Sequence, residues 1–327
     1  MHAIRLHSFG PADQLRHEEL DDPKPATGQV RISVAAAGVH LIDTVIRSGV
    51  SHGPFPLPEL PAIPGREVAG VVDVLGAAVE ESWLGQRVVA HLGAAGSGYA
   101  ELAVCDASAL HALPDSLAAD AAVAMIGTGR TTMAILEIAQ LTSADVVLVT
   151  AAAGGIGSLL VQAARNAGAL VVGVAGGTAK VDRVRRLGAT VAVDYTAPDW
   201  TATARDALDG RDVTVTLDGV GGRLGRGALE LLGAGGRLIL FGWSSGEPTP
   251  LSATDLFAHG ITASAAIGPT LLRRPGGFRD LEEAALAAAA AGRLIPLVGQ
   301  RFPLAQAAAA HTAIETRATV GKTVLVP

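Results

Sequence analysis

The sequence predicts an α/β protein in which a doubly wound parallel sheet is joined to a strand-rich part. Short β-prone runs separated by Pro and Gly fill roughly the first 110 residues. From about residue 118 onward, β-prone runs alternate with helical patterns of about 10–15 residues, and parallel strands need such crossovers. The length of 327 residues suits about two domains of ordinary size.

The first part of the chain is predicted to be a partly open barrel or a sandwich. Residues 30–36, 68–74 and 87–91 are apolar and β-prone, and residues 41–47 have the pattern of a short helix. Residues 53–65 are dense in Pro, which fixes φ and removes a backbone donor, so this segment is predicted to be a loop.

The second part repeats a strand–helix unit. Helices are expected at 118–125 and 131–140, joined by a Gly-rich turn, and a tail of two helices and one strand is expected to return to the N-terminal part. The repeating strands are predicted at 146–150, 170–175, 190–193, 213–217, 237–241 and 261–266; the helices between them at 156–167, 179–187, 199–208 and 223–232; and the tail elements at 279–291, 304–315 and 322–326.

Composition excludes several classes of protein. With 49% hydrophobic and 17% charged residues, the chain is not disordered, and one Cys excludes a disulfide framework or a Cys-rich zinc site. A net charge of -6 without a basic tract argues against a nucleic-acid or anionic-membrane partner. We find no signal sequence or apolar span, so we expect a cytoplasmic protein that acts on a small molecule.

A glycine-rich turn follows the first strand of the repeating part. Gly154, Gly155 and Gly157 lie between the strand at 146–150 and the next helix. Small residues there let the backbone approach a pyrophosphate, whose charge is favoured at the N-terminus of a helix. The motif has Ala152 in place of the usual first Gly, and a purely structural turn is the alternative. The strand–turn–helix context favours dinucleotide binding on a Rossmann sheet.

The end of the second strand indicates which dinucleotide is bound. NAD sites place an acid about 20 residues after the motif, but no acid occurs here before Asp182. Lys180, one of only three lysines, begins the next helix, and Tyr195 follows the third strand. The alternative is that Lys180 and the arginines that follow it only form a solvated helix face. We prefer this alternative for Arg185 and Arg186. The pattern therefore favours NADPH over NADH.

Four segments together carry a family resemblance. They are GVHLIDTVIRSG at 38–49, IPGREVAGVV at 63–72, AAAGGIGSLLVQAAR at 151–165 and RATVGKTVLVP at 317–327. The chain resembles the zinc-independent quinone oxidoreductases of the medium-chain dehydrogenase/reductase superfamily. The resemblance implies a GroES-like catalytic domain formed by residues 1–120 and 267–327, and a Rossmann NADPH-binding domain at 121–266. It also implies hydride transfer from NADPH to a quinone or similar conjugated carbonyl, and frequent homodimers.

The resemblance also assigns residues to the cofactor. Arg317 is equally well explained as a structural tie between domains, because its match is only to a basic C-terminal pattern. The residues that the resemblance places at NADPH are Gly154, Gly155, Ile156, Gly157, Gly176, Gly177, Lys180, Tyr195, Phe241, Gly242, Ser245, Arg317 and Lys322.

Three departures from the family pattern bear on the chemistry. His40 stands where the family usually has Asn, and Val45 stands where it usually has an aromatic residue. Zinc-dependent relatives carry Cys at position 40 and His at position 66, where this chain has Arg66. The usual three protein ligands of a catalytic zinc are therefore missing, and no metal is expected.

His40, Asp43 and Thr131 are the predicted catalytic residues. Histidine side chains in general titrate near neutral pH, so a histidine at position 40 is suited to stabilise an oxyanion or deliver a proton. It is alternatively an orienting or packing residue. Asp43 either orients His40 or caps the helix at 41–47, and Thr131 matches the family threonine beside the nicotinamide. The alternative functions are an enoyl or enone reductase that reduces an activated C=C bond, and a non-catalytic NADPH-binding protein.

Overall fold

The chain folds into two compact units. A computed structural model describes residues 1–50, 56–93, 96–268, 271 and 273–327. Unit 1 comprises Met1–Gly127 and Pro296–Pro327, and unit 2 comprises Thr128–Ile295. The predicted domain bounds were 1–120 with 267–327, and 121–266, so the second bound lies 29 residues later than expected, at 296 instead of 267.

Unit 1 is built from strands that are mostly antiparallel. A seven-stranded sheet has the order β14-β15-β3-β4-β5-β7, with β6 pairing β3, and β1 and β2 form a separate two-stranded sheet. The C-terminal strand β15 pairs antiparallel with β3, which returns the tail to the N-terminal part as predicted. The strands are β1 (His2–Leu6), β2 (Leu15–Glu19), β3 (Gln29–Val39), β4 (Glu67–Leu75), β5 (Arg87–His91), β6 (Leu102–Asp106), β7 (Leu110–Ala112), β14 (Val298–Pro303) and β15 (Lys322–Val326).

Three α-helices complete the described part of unit 1, and the candidate histidine is the N-cap of the first. They are α1 (Leu41–Arg47), α2 (Ala119–Ile126) and α10 (Ala307–Glu315). The carboxylate of Asp43 accepts a hydrogen bond from the backbone N of His40 at 2.8 Å, so Asp43 caps α1. Arg47, which is buried at the other end of α1, pairs with Glu315 of α10.

Unit 2 is a parallel sheet covered by helices, which confirms the predicted doubly wound class. The strand order is β10-β9-β8-β11-β12-β13, and every pairing is parallel. The central strands are apolar on both faces, because helices cover the sheet on both sides. The strands are β8 (Val146–Val149), β9 (Leu170–Ala175), β10 (Val191–Asp194), β11 (Val213–Asp218), β12 (Leu232–Leu240) and β13 (Thr262–Ala265).

The helices of unit 2 follow the predicted order except for α8 (Ala253–His259), which the sequence did not predict, and one helix and one strand begin earlier than expected. α3 begins at Thr128, inside the segment predicted to be a Gly-rich turn before a helix at 131–140. β12 begins at Leu232, five residues before the predicted strand. The helices are α3 (Thr128–Ala139), α4 (Gly155–Asn166), α5 (Thr178–Arg186), α6 (Trp200–Ala207), α7 (Gly222–Leu229), α8 (Ala253–His259) and α9 (Arg279–Ala290).

The second domain bound lies late because α9 packs on α3. Arg130 of α3 donates a hydrogen bond to Glu282 of α9 at 2.9 Å, and the same guanidinium stacks over Phe278 at 4.6 Å. Arg274 pairs with Glu137 of α3 at 2.6 Å. These contacts keep residues 273–295 with the parallel sheet, although the sequence predicted that they return to the N-terminal part.

No single helix among the described residues is long and apolar enough to cross a bilayer. Only α2 and α3 taken together reach that length and composition.

Candidate functional site

The candidate cofactor residues of unit 2 gather at one edge of its sheet. All six strands run in parallel, so their carboxyl ends lie at the same edge. The chain moves outward from β8 to β9 and β10 on one side and to β11, β12 and β13 on the other. The edge between β8 and β11 is therefore the point at which the strand order reverses, where open α/β sheets bind ligands.

The glycine-rich loop leads from β8 directly into α4. The loop is tight: Gly154 N donates to Ala151 O at 2.8 Å, and Ala151 itself has a positive φ of 46°. A Cβ on Gly157 would overlap Ala151 O and lie 2.9 Å from Ala152 Cα, so only Gly allows α4 to begin this close to the strand. Gly154 is the N-cap of α4, which leaves the first backbone N–H groups of the helix directed at the edge.

The predicted 2′-phosphate residues lie together at the ends of β9 and β10. The ring of Tyr195 covers Gly176, because a Cβ on Gly176 would lie 3.1–3.2 Å from its atoms. Gly177 has a φ of 87° and open space beside it. Lys180 lies in the first turn of α5 and is half-buried.

An acid absent from the sequence prediction lies at this same position. Asp194, the last residue of β10, accepts hydrogen bonds from Gly177 N at 2.9 Å and from Thr196 N and Oγ1 at 2.9 and 2.6 Å. These hydrogen bonds lower the pKa of Asp194, so it is an anion. Its oxygen is engaged by backbone and hydroxyl donors that fix the turn at Gly177.

The loops after β8, β11 and β12 are held together by a buried aspartate. Asp218, fully buried at the end of β11, accepts from Thr150 Oγ1 at 2.7 Å and from Val220 N at 2.9 Å. Phe241, which follows β12, packs its ring where a side chain on Gly219 would be. Ser245 N donates to Val220 O at 2.9 Å, so the predicted segment at Phe241, Gly242 and Ser245 joins this edge of the sheet.

Thr131, the third predicted catalytic residue, belongs to unit 2. It lies within α3 and is half-buried.

The other predicted catalytic residues lie in unit 1, where His40 meets a buried ion pair. His40 Nε2 lies 2.7 Å from Glu67 Oε1 and 2.8 Å from Lys322 Nζ. Lys322 Nζ in turn donates to Glu67 Oε2 at 2.7 Å. Glu67 is fully buried and the Lys322 side chain is 4% exposed, whereas the His40 side chain keeps 23% of its surface. We call these three residues the His40 cluster.

Two glycines make room for the carboxylate of the His40 cluster. A Cβ on Gly38 of β3 would overlap Glu67 Oε2, and a Cβ on Gly127 would overlap Glu67 Oε1. His91 lies opposite Glu67 on the neighbouring strand β5.

Burial and charge act in opposite directions on the ionised groups of the His40 cluster. Burial raises the pKa of Glu67, but the charges of His40 and Lys322 outweigh it and hold this pKa well below its usual range. Burial lowers the pKa of Lys322, and Glu67 opposes part of that shift. The pair therefore consists of a carboxylate and an ammonium that is a stronger acid than an exposed lysine.

A second polar chain runs from Asp43 into the core of unit 1. Asp43 Oδ1 accepts from Arg66 Nη2 at 3.3 Å, and Asp43 Oδ2 accepts from the Tyr99 hydroxyl at 3.1 Å. Tyr99 also contacts His311 Nε2 at 3.2 Å. Burial opposes ionisation of Asp43, but Arg66 and His40 hold its pKa below the usual value. Burial and Asp43 raise the pKa of Tyr99 well above its usual value, so the hydroxyl keeps its proton.

The two C-terminal cations of the prediction have different surroundings. Lys322 is buried in the His40 cluster, whereas Arg317 is exposed, with a positive φ of 56°, just after α10. Both lie in unit 1.

Unit 1 also contains a cavity of about 590 Å³. Asp43, Arg47 and Arg66 contribute polar groups to its wall, and Ile46, Ile63 and several prolines contribute apolar surface. Its volume falls within the range of small-molecule sites.

The described residues offer little that would hold a metal. Within the described ranges, no three His, Cys, Asp or Glu side chains converge in a way that could bind one. Cys105 is buried in β6, and burial raises the pKa of its thiol to about 12, which disfavours the thiolate that metals bind.

Five polar residues that the fold brings into these sites were not predicted from the sequence: Glu67, Tyr99, Asp194, Asp218 and His311. Two signals were available. Glu67 follows Arg66 inside a quoted motif, and Asp218 ends a predicted strand before a Gly. Tyr99 and His311 gave no local signal, because their contact joins residues 212 positions apart.

Family models match both units. The model described as alcohol dehydrogenase GroES-like domain matches residues 26–115, and the one described as zinc-binding dehydrogenase matches residues 155–289. The first match lies in unit 1 and the second in unit 2.

Known proteins match along the whole chain. A quinone oxidoreductase of Pseudomonas aeruginosa is 31% identical over 99% of both chains, and a 2-haloacrylate reductase of a Burkholderia species is 31% identical over 99% of this chain and 98% of that protein. The Escherichia coli quinone oxidoreductase solved with NADPH has a TM-score of 0.88 at 28% identity, with both chains covered in full. A mycobacterial protein solved with NADPH has a TM-score of 0.87 at 32% identity, again over both full chains. The chain therefore belongs to the quinone oxidoreductase family of the medium-chain dehydrogenases/reductases.

Proposed function

We propose that the protein is an NADPH-dependent reductase of quinones or similar conjugated carbonyl compounds. The observation that carries the proposal is the glycine-rich loop at the reversal point of a parallel sheet, in a chain whose full-length relatives include quinone oxidoreductases. The relatives solved with NADPH support the choice of cofactor.

The residues of unit 2 fit a dinucleotide. The space that Gly157 keeps clear and the N-terminus of α4 suit a pyrophosphate. Lys180, Tyr195 and the open side of Gly177 suit a 2′-phosphate. The Asp194 carboxylate accepts hydrogen bonds from Gly177 and Thr196, so its oxygen Oδ1 is already engaged within the turn. When bound, NADPH would supply a hydride; the protein supplies binding, orientation and electrostatics.

We assign to His40 the stabilisation of the reduced acceptor. Its side chain keeps 23% of its surface, so a ligand can reach the ring, while Glu67 and Lys322 fix its inner nitrogen. Adding a hydride to a conjugated carbonyl leaves a negative oxygen, which a neighbouring proton donor stabilises. Asp43 acts through the helix that it caps, and Thr131 in unit 2 stays a predicted contact of the nicotinamide.

A second candidate function is the reduction of an activated C=C bond. The relative named 2-haloacrylate reductase supports it, as does Val45, which removes an aromatic side chain that would stack on a quinone. The chemistry differs in where the hydride ends: at the β-carbon of the acceptor instead of on a quinone ring.

An acceptor screen tests the proposed function. Purified protein is given NADPH or NADH together with quinones, enones, 2-haloacrylates or aldehydes, and cofactor oxidation is followed by absorbance. We expect oxidation of NADPH with quinones. Oxidation with enones or haloacrylates alone would select the second candidate, and tight NADPH binding without oxidation by any acceptor would identify a non-catalytic binding protein.

We further propose that catalysis needs no zinc. An ammonium group, Lys322 Nζ, lies between His40 and Glu67, and Arg66 adds a second cation nearby, so the donor set is unsuited to a dication. Metal analysis of active protein should find far less than one zinc per chain, and a chelator should leave the turnover rate unchanged. Stoichiometric zinc whose removal abolishes turnover would contradict this.

We propose that the active form is a cytoplasmic homodimer. The strand β13 lies at an edge of its sheet, and Phe257 on the preceding helix is 89% exposed, a combination that supports pairing with a second copy. A single buried cysteine without a disulfide partner suits a reducing compartment.

A further inference from the structure

The inner nitrogen of His40 has two competing neighbours. Nε2 lies 2.7 Å from a carboxylate oxygen of Glu67 and 2.8 Å from the ammonium of Lys322. A ring nitrogen has one position for a hydrogen, so Nε2 accepts from Lys322 only when it carries none, and the adjacent Glu67 Oε1, which makes no hydrogen bond among the described residues, is nearest to it when it carries one. The state of the His40 ring is therefore tied to both partners.

The two partners act on the ring with opposite sign. Glu67 favours a positive imidazolium, and Lys322 disfavours it, because each carries a full charge within 3 Å of Nε2. Both are buried and paired with each other at 2.7 Å, so water screens neither charge well.

Other charged or titratable groups lie near the His40 cluster and are kept in every variant described below. Asp43 accepts hydrogen bonds from the backbone N of His40, from Arg66 and from Tyr99, and His91 lies opposite Glu67 on β5. The helix α2, which packs on the same sheet, carries Asp120, and this residue pairs with Arg301.

We propose that Glu67 and Lys322 are positioning residues for His40, which together fix the orientation of its ring and set how readily the ring takes up and gives away its second proton. The inference rests on the proposed function, because it assigns a purpose to the proton of His40. In the reaction, a nitrogen–hydrogen bond of the imidazolium breaks, its electron pair stays on nitrogen, and a bond to hydrogen forms on the reduced acceptor. Solvent, which reaches the exposed part of the ring, returns the proton.

Two charge-removing substitutions test the proposal, because they should act in opposite directions. Lys322→Met removes the cation, so the ring should take up its proton at a pH higher by about one unit or more. Glu67→Gln removes the anion and should move the pH at which the His40 ring is half protonated to a lower value, by a similar amount. A purely structural role predicts either no shift or shifts in the same direction.

The midpoint is measured directly by NMR titration of the imidazole signals of the full-length protein, without an acceptor. The chain has nine histidines, and the signal of His40 is identified by its loss in His40→Asn. Arg301→Met, which removes a cation from the distant pair with Asp120, is the matched control and should leave the midpoint unchanged. Lys322→Arg keeps the charge and should lie closer to wild type than Lys322→Met does.

Opposite shifts support the proposal, and the pH profile of turnover should then move in the same two directions. If the pH midpoint of His40 moves in the same direction in both variants, or does not move, the proposal is wrong. If Glu67→Gln does not fold, the comparison of Lys322→Met with Lys322→Arg decides alone. The titration needs no turnover, so it tests this proposal even if the protein reduces no acceptor. The absence of any reduced acceptor would contradict the proposed function and not this proposal.

Discussion

His311 is a fully buried histidine whose neighbours determine its proton. Asp43 is a carboxylate and accepts only, so the Tyr99 hydroxyl donates to it and must accept from His311 Nε2. The ring therefore carries its hydrogen on Nε2. Its Nδ1 has no hydrogen-bond partner among the described residues and is buried, which suits a neutral ring and not a charged one.

This environment predicts a pH-dependent stability. Burial lowers the pKa of His311 from 6.5 to about 4. Between these values the unfolded chain binds more protons than the folded one, so the free energy of unfolding should fall as the pH is lowered from about 6.5 toward 4. The loss amounts to about 3 kcal/mol at most.

Urea unfolding at pH 8, 6 and 5 measures this loss. His311→Gln keeps a donor for Tyr99 but does not titrate, so it should lose less stability over this range than wild type does. An equal loss in both proteins would show that other groups cause the pH dependence.

The His40 cluster shows why single residues were harder to predict than elements. His40 was identified from its departure from a family pattern, and Asp43 from its place three residues later at a helix start. The Lys322 contacts join residues 282 and 255 positions apart. No local pattern encodes such contacts, because they depend on how β15 returns to β3. Lys322 was accordingly assigned to the cofactor from its motif alone, and that assignment stays a prediction.

At the scale of elements, the strands and helices of unit 2 followed the sequence closely. Strand β9 was predicted to the residue, as was β15 of unit 1, since apolar runs that follow or precede Gly are strong local signals. The start of α3 was missed because Gly127 and Gly129 resembled a turn. In the fold, Gly127 is instead required by the carboxylate of Glu67, which is a tertiary reason.

The N-termini of helices at the sheet edge are expected to determine whether NADPH or NADH binds more tightly. Lys180 in the first turn of α5 is the cation assigned to the 2′-phosphate, which NADPH has and NADH lacks. A charge-assisted hydrogen bond contributes about 1.5–3 kcal/mol, so Lys180→Ala should weaken NADPH binding by about tenfold or more. NADH binding should change much less.

Titration calorimetry with both cofactors checks this. Lys24→Ala, which removes an exposed lysine of unit 1, is the control and should bind both as wild type does. Equal losses of NADPH and NADH affinity in Lys180→Ala would refute the phosphate assignment.

At the scale of the whole molecule, the sequence predicted two domains, and the structure divides the chain at 296 where the family resemblance implied 267. The number of domains followed from composition and periodicity, whereas the bound depends on the packing of α9 on α3, which involves Arg130, Glu282 and Arg274. A helix at 279–291 was predicted, but its amphipathic pattern does not reveal which unit it covers. Tertiary packing alone decides that.

The assembly is the second property at this scale. We expect wild type to sediment at twice its mass of 32.9 kDa. Phe257→Glu, which places a charge on an exposed apolar position of α8, the helix before β13, should shift the equilibrium toward monomer.

Analytical ultracentrifugation over a range of concentrations measures this. Leu84→Glu alters an apolar side chain that is 55% exposed in unit 1 and should leave the dimer intact. A monomeric wild type, or equal dissociation of both variants, would contradict the proposed dimer.

The central claim is that the protein transfers a hydride from NADPH to a conjugated acceptor and that His40 stabilises the reduced product. The most direct measurement follows NADPH loss and hydroquinone formation together, in wild type and in His40→Ala. We expect one hydroquinone per NADPH, with turnover in the variant lower by more than tenfold, as is typical for loss of a general acid, and NADPH binding nearly unchanged. NADPH binding without product, or a variant as fast as wild type, would contradict the claim.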